Sequence, residues 1–379
     1  MAAPLLPAQN KIAGGAAASD TQETTTLHWY RGNTHTHTSA FPGSDANASP
    51  EFVANWYRAH GYQFLVITDH EYFTDATRVP AVEDGKFLVM RGQEVTQMVA
   101  EPDIEGGVRH LHVNGIQTDR LILPIRPANP PAKAPKLGDG TVDLRPLAAQ
   151  GVTPAQAYLR NINAIRAAGG IPQVNHPNLG WSVRLEDLLP IQGPYLLEIW
   201  NAYRTSNNLG GTDSTGNDSP SAERLWDQLL SRGRVVWGVG ADDTHEYQKL
   251  DDPMAPSPGK AWVVVRAESL TADTIASALL YGRFYASTGV TLDNYDVSQT
   301  GITLSVLRPL DWSQSLPTKT RYTFQFIGQN GRVLKEAYGT SASYSFGPHD
   351  QYVRVSIVDS DGRRAWTQPV FLDGRDKAR

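Results

Sequence analysis

The residues best placed to do chemistry start at Asn33-Thr34-His35-Thr36-His37-Thr38. On a β-strand, alternate side chains share a face, so His35 and His37 point the same way. Two neutral imidazoles on one face suit a divalent ion such as Zn, Mn or Fe. More ligand types follow. Asp69-His70 closes an apolar run, Glu94 follows another, and His112, His176 and Asp242-Asp243-Thr244-His245 come later. Six of the ten histidines occupy these places, a concentration that scattered core or surface histidines do not give. The chain has no cysteine, so thiolate catalysis, thiolate ligands and disulfides are excluded. Any metal must be held by nitrogen and oxygen.

The elements that must position these residues are legible from periodicity. Residues 29–37 read as a first strand carrying the histidine pair. Ser49-Pro50-Glu51 opens a helix, with Ser as N-cap and Pro at its first position, and Gly61 ends it. The apolar run 64–67 reads as a strand buried on both faces, and 87–90 as another that leads to Glu94. Residues 110–116 alternate, with His110, His112 and Asn114 on one face. Thr153-Pro154 caps a helix that ends at Gly169-Gly170. Strands at 171–175, 195–200, 235–239 and 262–265 follow, with helices at 220–230 and 272–280. The proline-rich stretch 117–150 and the polar stretch 204–219 read as loops, the first as a long loop or lid. Strands alternating with helices predict an α/β architecture with a mainly parallel sheet. The ligand-type residues fall at or just past strand ends, where a (β/α) barrel builds its active site.

After Val290 the texture changes. Residues 302–306, 322–326 and 352–357 alternate with period two between turn signals such as Gln329-Asn330-Gly331. The expected organisation is a flexible extension over 1–27, a catalytic domain over 28–290, and a small antiparallel β-sandwich over 291–379. A formal net charge of −5 with no basic run gives no footprint for nucleic acid. No apolar run reaches the roughly 18–20 residues that span a membrane. The first 27 residues lack a positive region followed by an apolar one, so no intact signal peptide is read there. Their composition and the absence of cysteine fit the mature form of a periplasmic or secreted protein; a disordered cytoplasmic extension is the alternative.

The ordered set of His-x-His, Thr-Asp-His, a strand-ending glutamate, later single histidines and Asp-x-His resembles the polymerase and histidinol phosphatase (PHP) superfamily over about 29–289. Trp29-Tyr30-Arg31-Gly32-Asn33, Gly61-Tyr62 and Leu197-Glu198-Ile199-Trp200-Asn201 look more specifically like its carbaryl-hydrolase branch. That resemblance implies a distorted (β/α)7 barrel, often exported and carrying an extra β domain, with two or three divalent ions (Mn, Zn or Fe). It implies that His35, His37 and Asp243 hold a first metal, that Glu94 bridges to a second, and that His112 and His176 complete the second. His70 and His245 would hold a third. The family usually places an Asp or His about five residues after His-x-His; here Ala40-Phe41-Pro42-Gly43-Ser44 intervenes and Asp45 comes late. The Asp-x-His spacing favours Asp243 over Asp242 as ligand, with Asp242 supporting its neighbour.

Asp69 reads as a partner that orients a histidine, and Asp69 or His245 as the group that protonates a leaving group. Asn201 reads as a substrate contact, whereas Glu198 divides between a structural salt bridge and a site role. Arg31, Arg109 and Arg184 are candidates for holding an anionic substrate, and Trp181 for walling the pocket. His110 reads as an outer polar contact, and His349 as a surface residue. No Gly-x-Ser-x-Gly elbow is evident, so a covalent nucleophile is not required. The expected activity is metal-dependent hydrolysis of a small-molecule phosphoester, with carbamate or carboxylic ester hydrolysis as alternative and a non-catalytic metal-binding module behind both.

Overall fold

The computed structural model describes residues 26–75, 85–101, 107–125, 148–213, 216–252, 254–307 and 320–376. The expected N-terminal extension and most of the stretch read as a lid lie outside the described residues. The first half runs β1 (His28–Asn33), α1 (Pro50–Ala59), β2 (Phe64–Ile67), β3 (Leu88–Ala100), β4 (Val108–Ile116), α2 (Pro154–Ala167), β5 (Ile171–Val174), α3 (Leu185–Leu188) and β6 (Tyr195–Asn201). A two-residue hairpin, β7 (Gly211–Thr212) with β8 (Asp218–Ser219), precedes α4 (Ala222–Ser231), β9 (Val236–Ala241), β10 (Trp262–Ala267), α5 (Ala272–Leu280) and β11 (Phe284–Ser287). The remainder is all strand: β12 (Leu292–Val297), β13 (Gly301–Val306), β14 (Tyr322–Gly328), β15 (Arg332–Tyr338), β16 (Ser341–Ser345), β17 (Tyr352–Asp359), β18 (Arg364–Thr367) and β19 (Val370–Phe371).

The caps lie where the residue types put them. Ser49 Oγ accepts from the Phe52 amide, and Thr153 with Gln156 forms a reciprocal capping box. The predicted mainly parallel sheet is instead mixed and strand-rich. Strands β1, β2 and β3 are parallel, as are β5, β6 and β9, but β4 runs antiparallel to both β3 and β5. The physical reason is the short connection between Ala100 and Val108, since a parallel crossover needs about a dozen residues or more. Among the described residues no helix joins β2 to β3 or β3 to β4, so a repeating (β/α)7 unit is not what the strands show. Along the path β1-β2-β3-β4-β5-β6-β9, the two ends meet at one parallel bridge, Thr36 with Thr244. There the Asp243 amide donates to His35 O and the His37 amide to Thr244 O, both at 3.0 Å.

On the other side of β1 the same sheet continues through β10, β11, β18, β17, β14 and β15. The strands after Val290 thus form two layers. Strands β12, β13 and β16 make a separate three-stranded sheet, and its Ile302 and Leu304 pack with Phe324, Phe326 and Val355 of the large one. Two contacts tie this region to the first half. Arg354 is buried between Asp227 (2.7 and 2.8 Å) and Glu223 (2.9 Å) of α4, over the Trp226 ring, and Tyr352 OH also donates to Asp227. Gln368 acts as a surrogate strand for β9, accepting from Gly238 N–H at 2.8 Å and donating to Gly238 O at 2.7 Å. No helix among the described residues is long and apolar enough to cross a membrane.

Candidate metal centre

Beyond Asn33 the chain bends at Thr34 before Thr36 bridges to Thr244. Asn33 accepts from His35 N–H (3.0 Å) and donates to Ala261 O (3.0 Å), while Thr36 turns away to meet Tyr57 and Thr68. His35 and His37 therefore point to the same side, as their spacing predicts, and both are buried. Their Nε2 atoms lie 3.1 Å apart. Glu94 on β3 meets them. Its Oε2 is 3.4 Å from His35 Nε2, 3.2 Å from His37 Nε2 and 3.2 Å from His70 Nδ1. Its Oε1 is 3.0 Å from His112 Nδ1 and 3.4 Å from His176 Nε2, so one carboxylate faces five imidazoles. Opposite, Asp243 Oδ1 is 3.1 and 3.3 Å from the Nε2 atoms of His35 and His37. His176 (φ 24°) and Asp243 (φ 52°) hold left-handed backbone, a strain that surrounding bonds must enforce. The donor is the amide in both, to Glu198 for His176 and to His35 O for Asp243.

Ligand-type atoms converge in four overlapping groups: His35, His37 and Glu94; His35, His176 and Asp243; Glu94, His112 and His176; and His37, Asp45, His70 and His245. In the last, Asp45 Oδ2 is 3.3 Å from His70 Nε2 and 3.5 Å from His245 Nε2. The late position of Asp45 is compensated because its loop folds back, with Ser44 Oγ donating to Thr38 O and the Asn47 amide to His245 O.

Asp242 takes no part. Its oxygens accept from the amides of Gly259, Lys260 and Ala261 and from Tyr57 OH, which leaves Asp243 as the ligand type. Asp69 also stands outside the four groups; it accepts from the amide and hydroxyl of Thr38 and from Thr74 OH, and orients no histidine directly. Asn201 is buried, donating to Glu198 (2.8 Å) and Asp243 (3.2 Å) and accepting from Tyr203 N–H and Ser206 OH. Its side-chain amide is spent on holding Glu198 and Asp243 in place. Arg31 is stacked between Tyr62 and Trp262, Arg109 is bound to Asp187, and Arg184 to Glu101. His110 and His349 are exposed, and Trp181 lines a separate cleft with Arg184.

The residue that sequence reasoning left undecided is Glu198. Fully buried on β6, it accepts from His35 Nδ1–H (2.7 Å), Gln173 (3.0 Å), Asn201 (2.8 Å) and the His176 amide (2.6 Å). The bond to Nδ1–H fixes the His35 tautomer and turns its Nε2 lone pair inward, as metal-bound histidines require. The available signal was a carboxylate within an apolar strand. Glu198→Gln is expected to weaken metal binding about 10- to 100-fold while the chain still folds, read by competition with a chelating dye. Unchanged affinity would rule out the orienting role.

The donor set fits divalent ions. Burial alone would keep Glu94 and Asp243 protonated, but the surrounding histidines, His35 foremost, hold both carboxyls well below their usual range. Burial likewise works against a proton on His37, yet contact with Asp243 and Glu94 raises it to about 10. Burial lowers His70 to about 4. His37 Nδ1 and His112 Nε2 are buried without a hydrogen-bond partner. Proton and metal therefore compete for His37. Because His37 must lose its proton to bind metal, apparent affinity at its group should fall as pH drops below about 10, by about tenfold per pH unit for each proton displaced. His70, already neutral at pH 7, should release none. Calorimetry in buffers of different ionisation enthalpy measures the protons released; a metal uptake near pH 7 that releases none contradicts this.

No family model matches the chain, and no curated protein matches it significantly. Among solved structures, it is similar to a two-domain protein from Bacteroides vulgatus containing a predicted PHP-like metal-dependent phosphoesterase, with 14% identity and a TM-score of 0.43, covering 90% of this chain and 95% of that one. It is also similar to a candidate metal-dependent phosphoesterase from Bifidobacterium adolescentis, with 17% identity and a TM-score of 0.35, covering 57% of this chain and 88% of that one. Likeness at this level leaves the functional reading to the site itself.

Proposed function

We propose that this chain is a metal-dependent hydrolase of small phosphoesters, built as a distorted barrel of the PHP type over 28–290 with a β module over 291–379 fused to its sheet. The observation that carries the reading is the convergence of six histidines on Glu94, Asp243 and Asp45. His35, His37, Glu94 and Asp243 would hold a first ion, Glu94, His112 and His176 a second, and Asp45, His70 and His245 a third. When bound, such ions supply Lewis acidity toward water and toward a phosphoryl or carbonyl oxygen. The chain's own part is orientation and proton handling. Glu198 and Asn201 fix the ligands from behind, and the buried setting keeps bulk water out. His245 Nδ1 lies 2.9 Å from Asp243 O, so Nε2, beside half-exposed Asp45, is the atom it would offer to the third ion; only with that third group empty would the same Nε2 be open to exchange a proton with a leaving oxygen. Asp69, sealed by Thr38 and Thr74, is poorly placed for that task.

A second reading, aryl ester or carbamate hydrolysis, is favoured by aromatic rings around the Asp45 edge. Tyr203 meets His245 edge-on at 5.8 Å, and Phe41 stacks on Tyr72 at 5.1 Å. The deciding experiment pairs metal analysis of protein purified without chelators with assays on 4-nitrophenyl phosphate, bis-4-nitrophenyl phosphate and 1-naphthyl methylcarbamate. Two or three ions per chain and cleavage lost in His37→Ala are expected, and the substrate cleaved separates the two readings. Less than one ion after reconstitution with Mn or Zn, together with no turnover, would overturn both.

A further inference from the structure

Beside the centre lies a cleft of about 400 Å³, between the end of β6 and the turn joining β17 to β18. Its walls carry Arg204, Lys260 and Arg363 against one carboxylate, Asp361, in a chain whose formal net charge is −5. Arg363 NH1 is 3.7 Å from Asp361 and 4.0 Å from Asp359, while the Lys260 ammonium donates to Ala255 O. Arg204 is exposed, and among the described residues no carboxylate lies within 4.0 Å of its guanidinium. Such a guanidinium is free to take a planar oxyanion through two parallel bonds. Trp200 and Tyr203 add flat apolar surface to the same walls. The cleft borders the centre: Asn201 and Tyr203 are among its lining residues, Asn201 donating to Asp243 and Tyr203 packing on His245.

We propose that this cleft is an anion-binding subsite that holds a second negatively charged group of the substrate, remote from the bond that is cleaved. The inference rests on the hydrolase reading and narrows it to organic phosphoesters bearing a further phosphate or carboxylate. Binding energy gathered there positions the reacting group at the metals. It also gives the region after Val290 a direct role, because Asp361 and Arg363 come from its β17–β18 turn.

The test uses the full chain loaded with manganese and three substrates: phenyl phosphate, 4-carboxyphenyl phosphate and 1,4-phenylene bisphosphate. At least one doubly anionic substrate should show a KM about tenfold below that of phenyl phosphate, which identifies the second group as carboxylate or phosphate. In the double variant Arg204→Gln/Arg363→Gln that advantage should disappear, with kcat/KM for phenyl phosphate staying within about twofold. Both side chains are more than a third exposed, so the variant should keep its fold. Equal KM values for all three substrates, or an advantage that survives in the variant, overturns the proposal. Should no phosphoester be cleaved, the phosphoester reading fails separately. Calorimetric titration of the metal-stripped chain with 1,4-phenylene bisphosphate then decides the cleft: binding about tenfold weaker in the variant supports it, and no difference overturns it.

Discussion

Glu94→Gln is expected to lower hydrolysis by about a thousandfold or more and to leave less than one ion per chain. The substitution keeps the size of the side chain, so packing is little disturbed. It changes the chemistry at the point where the metal groups share a ligand. Both oxygens of Glu94 face imidazole nitrogens, at 3.0–3.4 Å from five histidines. A carboxamide carries no charge, offers one oxygen, and turns an NH2 donor toward nitrogens that must themselves be lone-pair donors to metal. Metal content and kcat, measured on the same preparation across manganese concentrations, check this. Activity within about tenfold of the parent at saturating metal would show that Glu94 is not the shared ligand.

Arg354→Met is expected to cost about 3–5 kcal/mol of folding stability without touching a single ligand. The guanidinium is fully buried and makes three bonds to Asp227 and Glu223. Its removal leaves Asp227 buried with Tyr352 OH as its remaining partner across that interface. An uncompensated buried carboxylate, more than a lost contact, is what makes the change severe. Replacing both members, Arg354→Met with Asp227→Leu, should recover part of the loss. Urea unfolding of the two single variants and the double variant forms the cycle that measures the coupling. A loss below about 1 kcal/mol in Arg354→Met would mean that water reaches the pair and screens it.

Much of the candidate centre is legible because most of its ligand-type residues follow within a few positions of a readable strand end. His35 and His37 share a side as their spacing predicts, although both lie past the end of β1, and Glu94, read as ending an apolar strand, stands in the middle of β3. Asp243 followed from spacing, and its rival Asp242 is consumed by three amides and a tyrosine. Asp45 was harder, because a folded-back loop rather than a strand period decides where it lies. Glu198 stays undecided in the sequence, and Asn201 reads there as a substrate contact, for one reason. Whether a polar side chain on a strand faces a substrate or a neighbouring ligand depends on the adjacent strands, which the local sequence does not encode. The same holds for the fold: strand positions were readable, but the direction of β4 and the pairing of β18 with β11 are long-range choices. The resemblance supplied ligand roles, whereas the mixed sheet came from connection lengths.

The bridge between Thr36 and Thr244, and the Gln368 amide on Gly238, have a consequence for how the protein is made. During synthesis the His-x-His segment leaves the ribosome some two hundred residues before its partner strand end, and the cover for β9 follows 130 residues after that strand. Contacts so distant in sequence are slow to form, and until they form β9 and β11 present bare edges to other chains. A chain cut short near Val290 would carry every ligand-type residue and still lack both covers. Its expected fate is association through those edges, so the last strands act as the gatekeeper of soluble yield.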